Sequence, residues 1–85
     1  MSYYVYILQS QTNSDLYVGS TEDVVVRLAR HNQGKVKSTK GYRPWILLES
    51  RECVSRNKAI QLEKFLKTGQ QKELLKKKYG GMAKW

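Results

Sequence analysis

The sequence predicts a small α/β domain in which helices cover a three-stranded sheet, in the order β-β-α-β-α-α. Two segments near the N terminus are rich in the aromatic and β-branched residues that favour strands. Later segments space their apolar residues as helices do, and one further strand-like segment lies among them. The 85 residues can enclose one compact core, so we expect a single domain over residues 1–85, with its core at about 3–69 and a C-terminal helix and tail at 70–85.

The first two strands are predicted to form a β-hairpin. Residues 3–8 and 16–19 carry the strand character, and the turn-rich segment 9–15 lies between them. Side chains alternate along a strand, so Tyr6 and Tyr17 emerge on the same face if the register brings them near each other. A shift of one residue would separate them, and the sequence leaves the register open.

The first helix is expected to follow this hairpin. Ser20 or Thr21 can cap its N terminus, and Gly34 is expected to end it. Glu22 and Asp23 would lie in the first turn, where the helix dipole favours negative charge. The apolar stripe of this helix is predicted to consist of Val24, Val25, Leu28 and Ala29.

Two polar residues of this helix, Arg27 and His31, are four residues apart and should lie along one edge of the apolar stripe. Taken alone, Arg27 would usually be a solvated helix charge, and His31 a capping or surface residue. Their shared position at the edge of the core makes them candidates for a site.

A basic loop, a third strand and a second helix are expected next. The loop at 35–43 precedes Pro44, whose missing N–H suits the start of a strand, and the strand is predicted at 45–50. Ser55 can cap the second helix, which is expected to extend to about Lys67.

The second helix places Glu63 beside its apolar stripe. Residues 68–69 break this helix, and 70–79 are predicted as a third helix whose lysine run at 76–78 forms a solvated face. Residues 80–81, both glycine, are expected to begin a loose tail. The buried stripe of the second helix is predicted to consist of Ala59, Leu62, Phe65 and Leu66.

The formal net charge of +9, from 16 Lys and Arg against 7 Asp and Glu, indicates a polyanionic partner. A basic protein of another kind, such as a ribosome-associated factor, fits the charge equally well. The apolar run at 3–8 is far shorter than the roughly 20 residues that span a bilayer, and no basic segment precedes it as in a signal peptide. We therefore expect no membrane association.

Cys53 is the only cysteine, which excludes an internal disulfide and a multi-cysteine zinc site. A reducing, cytoplasmic setting is expected. Cys53 itself is interpreted as a small, half-buried hydrophobic residue at a strand end.

The order of these features resembles the GIY-YIG nuclease family. Its first motif is represented by Tyr4-Val5-Tyr6 and its second by Tyr17-Val18-Gly19, with Arg27 ten residues after Tyr17. The segments 27–34 and 59–67 are similar to small stand-alone bacterial members, the group that resembles the nuclease domain of excinuclease C. Valine replaces isoleucine in both motifs, and Tyr4 replaces the first glycine.

The resemblance implies a metal-dependent DNA endonuclease that hydrolyses phosphodiester bonds, structure-selective rather than sequence-specific, with a role in DNA repair or recombination. It implies that Tyr6 and Tyr17 are the active-site phenols, that Arg27 contacts phosphate and that His31 assists proton transfer. Glu63 would bind one divalent ion, Mg²⁺ or Mn²⁺. Which tyrosine takes the proton stays open.

These residue types suit the reaction. Arg27 can grip two phosphate oxygens as a planar fork, and Glu63 supplies the hard oxygen that Mg²⁺ prefers. A phenol has a reference pKa of ~10, and a nearby Arg27, a bound metal and His31 would each favour the phenolate.

The positive surface is expected to follow the DNA backbone through the loop and the third helix, and phosphate contacts position a protein without reading bases. The rival interpretation is a non-catalytic nucleic-acid-binding module of the same fold. The presence together of Tyr6, Tyr17, Arg27 and Glu63 favours the nuclease, whereas each alone would more often be structural. The oligomeric state stays open. The expected DNA contacts are Lys35, Lys37, Lys40, Arg43 and Lys67.

Overall fold

A computed structural model describes residues 2–79 and has the predicted order of elements. A short 3-10 turn at Lys40–Tyr42 lies in the predicted loop, and the expected tail at 80–81 lies outside the described residues. No helix within 2–79 is long and apolar enough to cross a membrane. The elements are β1 (Tyr3–Ser10), β2 (Leu16–Thr21), α1 (Val24–Asn32), β3 (Trp45–Cys53), α2 (Arg56–Leu66) and α3 (Gly69–Tyr79).

The three strands form one antiparallel sheet in the order β2-β1-β3, with β1 in the centre. Tyr6 pairs with Gly19, and Leu8 pairs with Tyr17. Because side chains alternate, Tyr6 and Tyr17 occupy neighbouring diagonal positions on one face of the hairpin. The register that the sequence left open is therefore the one that brings the two phenols together.

The central strand is buried on both faces. Val5 and Ile7 face a core formed with α2 and α3, whereas Tyr6 and Leu8 face a second, smaller core formed with α1 and Trp45. Because side chains alternate between the two faces of a strand, β1 contributes residues to both cores. The sheet separates them, and the candidate site residues from the hairpin and α1 lie on the side of the smaller core.

The start of α1 differs from the prediction. Asp23 is the N-cap, and its side chain accepts a hydrogen bond of 3.1 Å from the backbone N–H of Val26. Ser20 and Thr21 cannot cap the helix because β2 continues through them, with Thr21 paired to Tyr4.

The end of α1 agrees with the prediction of a stop at Gly34. Gln33 is the C-cap, and Gly34 follows it with a φ of 77°. This left-handed conformation commonly ends helices and favours glycine.

The predicted apolar stripes are partly wrong. Val25 is 79% exposed, Ala29 is also exposed, and the buried side of α1 consists of Val24, Leu28 and His31 instead. These three recur at helical spacing, and Val25 lies about 100° further round the helix. In α2, Phe65 is 53% exposed for the same reason, because Ala59 and Leu66 set the buried face.

The third strand is longer than predicted because β1 continues to pair with it as far as the contact between Tyr3 and Cys53. Cys53 is half-buried at the end of that strand, as predicted.

Candidate active site

The two phenols of the hairpin approach each other above a glycine. Their ring centroids are 6.2 Å apart, and Tyr6 is only 1% exposed. A Cβ at Gly19 would lie 2.5 Å from Tyr6 Oη and 3.0 Å from Tyr17 Cε2. The second motif therefore requires glycine because the Tyr6 ring fills the space that a side chain would take.

His31 is fully buried beneath these rings. Its Nε2 lies 3.0 Å from Tyr6 Oη, and its Nδ1 lies 2.8 Å from Thr39 Oγ1. The Thr39 hydroxyl also lies 3.3 Å from the Val36 carbonyl, to which it can donate its proton, and on this basis we assign the His31 proton to Nδ1. Nε2 is then the acceptor, and Tyr6 donates its hydroxyl proton to it.

Thr39 was not predicted as part of the site, and a single threonine in a basic loop gives no sequence signal for it. Its carbonyl accepts a hydrogen bond of 2.9 Å from the indole Nε1 of Trp45. The side chain of Asn32 in turn accepts from the backbone N–H of Trp45 at 2.6 Å and donates to its carbonyl at 3.0 Å. These bonds fix the loop to α1 and hold Thr39 under His31.

Arg27 contacts Tyr6 from the first helix, and its Nε donates to Tyr6 Oη at 3.3 Å. This hydrogen bond raises the pKa of the Arg27 guanidinium above its ordinary value, although partial burial opposes the shift. The Tyr6 oxygen therefore accepts from a cation and donates to a neutral imidazole.

Burial and Arg27 act on the Tyr6 phenol in opposite directions, and Arg27 favours the phenolate as expected. Burial raises the pKa of Tyr6 to about 12, which outweighs the hydrogen bond and positive charge of Arg27. Burial and the charge of Arg27 both lower the pKa of His31, so the imidazole is neutral at pH 7. Tyr6 is therefore a neutral phenol in hydrogen-bond contact with a neutral imidazole.

Glu63 reaches the site around the free edge of β2. Ser20 Oγ donates to its Oε1 at 2.7 Å, and Lys67 Nζ lies 2.7 Å from its Oε2. Burial alone would raise the pKa of Glu63, but the hydrogen bonds from Lys67 and Ser20, with the charges of Lys67 and Arg27, lower it overall. Glu63 is therefore an ionised carboxylate.

The structure thus brings the predicted residues together in two groups. Tyr6, Tyr17, Arg27 and His31 are in direct contact, with the Tyr17 and His31 rings 4.8 Å apart at an edge-on angle. Glu63 interacts with Tyr6 and Arg27 through its charge, and within 2–79 its side-chain hydrogen bonds go to Ser20 and Lys67 instead. Glu63 therefore lies beside the cluster of the other four residues.

Lys67, one of the expected DNA contacts, belongs to the site itself. Its ammonium group pairs with Glu63 and lies 5.8 Å from the centre of the Tyr17 ring. The other expected contacts are exposed in the loop between α1 and β3, where Thr39 joins that loop to His31. These contacts are Lys35, Lys37, Lys40 and Arg43.

Glu63 also decides whether the site suits a metal ion. The described part of the chain has no group of three or more metal-ligating side chains. A single ionised carboxylate fits Mg²⁺ or Mn²⁺ nevertheless, because Mg²⁺ keeps several waters and takes its remaining ligands from substrate phosphate. Each Glu63 oxygen accepts one hydrogen bond and keeps a further lone pair for an ion.

A two-sided sheet with this phenol, arginine and histidine cluster on one face is a nuclease-type α/β fold. The chain belongs to the GIY-YIG family: the family model for the GIY-YIG catalytic domain matches residues 2–79.

The chain is also similar to three proteins named UPF0213. A UPF0213 protein of Staphylococcus haemolyticus is 40% identical over 75 residues, which cover 87% of this chain and 90% of that protein. A UPF0213 protein of Lactococcus lactis is 42% identical over 66 residues, covering 76% of this chain and 62% of the longer relative. The solution NMR structure of a UPF0213 protein from Bacillus halodurans has a TM-score of 0.55 and 34% identity, and the match covers 95% of this chain and 88% of that one. The name UPF0213 specifies no reaction.

Proposed function

We propose that this chain is a metal-dependent DNA endonuclease that hydrolyses phosphodiester bonds and selects DNA by structure rather than by sequence. The observation that carries this proposal is the hydrogen-bonded series from Arg27 through Tyr6 to His31. A buried phenol held between a guanidinium and a neutral imidazole is suited to moving a proton beside a phosphate.

Tyr6 would act as the proton relay. As the oxygen of a water molecule attacks phosphorus, Tyr6 accepts its proton and passes the phenolic proton to Nε2 of His31. The bond from phosphorus to the 3′ oxygen breaks, and that oxygen leaves with the electron pair. This assignment gives Tyr6, rather than Tyr17, the role of base, because Tyr6 is the phenol that hydrogen-bonds His31.

The charged residues near the relay would bind the phosphate and the divalent ion. Arg27 remains protonated and can stabilise the negative charge that develops on the phosphate oxygens. Glu63 would hold the divalent ion, Mg²⁺ or Mn²⁺, which when bound supplies positive charge to the phosphate. The Tyr17 phenol lies beside both Tyr6 and Lys67 and would help to position the phosphate.

Selection by structure is supported by the charge distribution. The exposed basic residues of the loop at 35–43 and the helix α3 suit contacts with the phosphate backbone, which carry no base sequence. Branched or flapped DNA, as formed in repair and recombination, is the substrate class that we propose.

The proposal is tested by incubating the protein with labelled linear, branched and flapped DNA, with and without Mg²⁺ or Mn²⁺. We expect metal-dependent cleavage that Glu63→Gln and Tyr6→Phe each reduce by roughly 10²-fold or more. The matched controls Glu49→Gln and Tyr4→Phe change the same residue types outside the cluster and should keep the wild-type rate.

Two results would count against the proposal. Equal cleavage by wild type and both site variants would mean that other residues, or a contaminating nuclease, cut the DNA. Metal-independent binding without product on any DNA would instead support the rival, a non-catalytic binding module of this fold.

A further inference from the structure

A cavity of about 340 Å³ opens beside the candidate site, between the edge of β2, the end of α2 and the helix α3. Its walls are aliphatic, and Tyr17 forms part of its lining. The aliphatic walls belong to the larger core, on the face of the sheet opposite Tyr6 and His31. Two lining residues connect the cavity to the candidate site around the edge of β2: the Tyr17 ring is 4.8 Å from the His31 ring, and Lys67 pairs with Glu63. The aliphatic walls are Leu16, Val18, Leu66 and Leu75.

Two lysines, Lys67 and Lys72, also line this cavity. Lys67 is paired with Glu63, whereas Lys72 is exposed and has no ion pair with any residue in the range 2–79. A cavity with apolar walls and cationic groups beside them matches a ligand that has a flat, uncharged body and an anionic link. A nucleotide has this combination, since its base can lie against apolar side chains while its phosphate meets a lysine.

We propose that this cavity receives one unpaired nucleotide next to the scissile phosphate, so that the endonuclease acts at junctions where a base has left the duplex. The inference rests on the proposed function. A paired base enters a cavity only at the cost of unpairing and unstacking, whereas a flap or frayed end offers its first unpaired base without that cost. The selectivity for branched DNA would then come from a defined subsite.

The test compares two flapped duplexes that differ only at the first unpaired nucleotide, which carries either a base or an abasic sugar. Dissociation constants are measured by fluorescence anisotropy in EDTA, so that the readout does not depend on cleavage. We expect the wild-type protein to bind the base-containing flap roughly tenfold more tightly, as for other contacts between one base and a protein surface.

Variants test whether the cavity causes the difference in affinity between the two flaps. Leu16→Trp fills the cavity from the edge strand and should bring the ratio of the two constants close to one. Lys72→Glu should weaken binding of the base-containing flap and reduce the ratio, because the phosphate would reach Lys72 only when its base enters the cavity. Its matched control, Lys77→Glu, makes the same charge change on an exposed turn of α3 that does not line the cavity, and should keep the ratio.

A wild-type ratio near one, no binding of either flap, or an unchanged ratio in both Leu16→Trp and Lys72→Glu would overturn the inference. The two proposals fail separately. A tenfold ratio without cleavage of any DNA would keep the nucleotide subsite and reject the endonuclease, whereas cleavage with a ratio near one would do the reverse.

Discussion

The hydroxyl of Tyr6 donates to Nε2 of His31 over 3.0 Å, and both side chains are almost completely buried. The direction of this bond follows from Thr39, which accepts the proton on the other ring nitrogen. A tyrosine with a pKa of about 12 is a poor base by itself. With a neutral imidazole behind it, the same phenol can exchange one proton for another without becoming a free phenolate.

We expect the buried His31 to make folding stability fall as the pH drops below the ordinary histidine pKa. Burial and Arg27 lower the pKa of His31 in the folded protein, so below the unfolded-state pKa of ~6.5 the unfolded chain binds the proton more readily. The contribution of neutral His31 to the free energy of unfolding is therefore fully present above the unfolded-state pKa. It falls as the pH drops toward the lower pKa of the folded state. Urea unfolding at pH 7.5, 6.5 and 5.5 measures this loss.

The variant His31→Gln is the control for this titration, because His31 is the only histidine. The shifted carboxyl groups, Glu49 and Glu63, have pKa values below the ordinary 4.5 and titrate outside this range. The variant should be less stable at pH 7.5 and show a flatter dependence on pH. An equal slope in both proteins would show that His31 is not responsible.

We expect Thr39→Val to disable the relay while keeping the shape of the side chain. The buried Nδ1–H of His31 would lose its acceptor, which costs about 1–3 kcal/mol. The imidazole could then carry its proton on Nε2 instead. Nε2 could then no longer accept from Tyr6. Cleavage should fall roughly tenfold or more.

Thr39→Ser restores the hydroxyl and should recover most of the lost rate. Nitrogen NMR of the imidazole separates positioning from simple destabilisation, because only Thr39→Val should move the proton from Nδ1 to Nε2. A valine variant that keeps both its rate and its Nδ1–H signal would contradict the positioning role of Thr39.

The hairpin and the motif residues could be predicted from the sequence because aromatic and β-branched composition is a local signal. The start of α1 could not. Ser20 and Asp23 are both good caps, and the choice was made by pairing of Tyr4 with Thr21, which extends β2 past the first candidate. The prediction that Val25 belongs to the buried stripe of α1 was wrong for a similar reason, because the packing of α1 on the sheet determines which side of the helix is buried.

The members of the site that the sequence did not indicate come from tertiary contacts. Thr39 lies eight residues after His31 and meets it only because Trp45 and Asn32 fix the intervening loop. The hydrogen bond from Ser20 to Glu63 joins residues 43 positions apart around a sheet edge. Neither contact has a periodicity or spacing that one sequence can reveal.

We expect Gly19→Ala to impair cleavage and stability together. The added Cβ would lie 2.5 Å from Tyr6 Oη and 2.7 Å from Tyr6 Cζ, so the buried phenol must move away from His31 and Arg27. Crowding of this kind in a packed core costs typically about 1–3 kcal/mol. Thermal unfolding and the cleavage rate measure the two effects.

Gly41→Ala is the matched control, because no atom lies within 4 Å of a Cβ built at that position. It should leave both the melting temperature and the rate close to wild type. If Gly19→Ala behaves like this control, the close approach of Tyr6 to β2 is not needed for the relay.

We expect Lys67→Met to lower the concentration of Mn²⁺ that supports half-maximal cleavage. Lys67 Nζ lies 2.7 Å from Glu63 Oε2, so its ammonium group competes with a divalent ion for the same carboxylate. The lysine side chain is half-exposed, and exposed ion pairs are weak, so the concentration should fall only roughly two- to fivefold. Methionine keeps the apolar stem beside Tyr17 and removes only the charge.

The matched control is Lys64→Met, which replaces an exposed lysine in the last turn of α2 that has no ion pair within 2–79. It should leave the Mn²⁺ requirement unchanged. Titration calorimetry with Mn²⁺ in the absence of DNA separates metal affinity from any loss of phosphate binding by Lys67, which would raise the KM for DNA instead. A higher Mn²⁺ requirement in Lys67→Met would mean that the lysine orients Glu63 for the ion rather than competing with it.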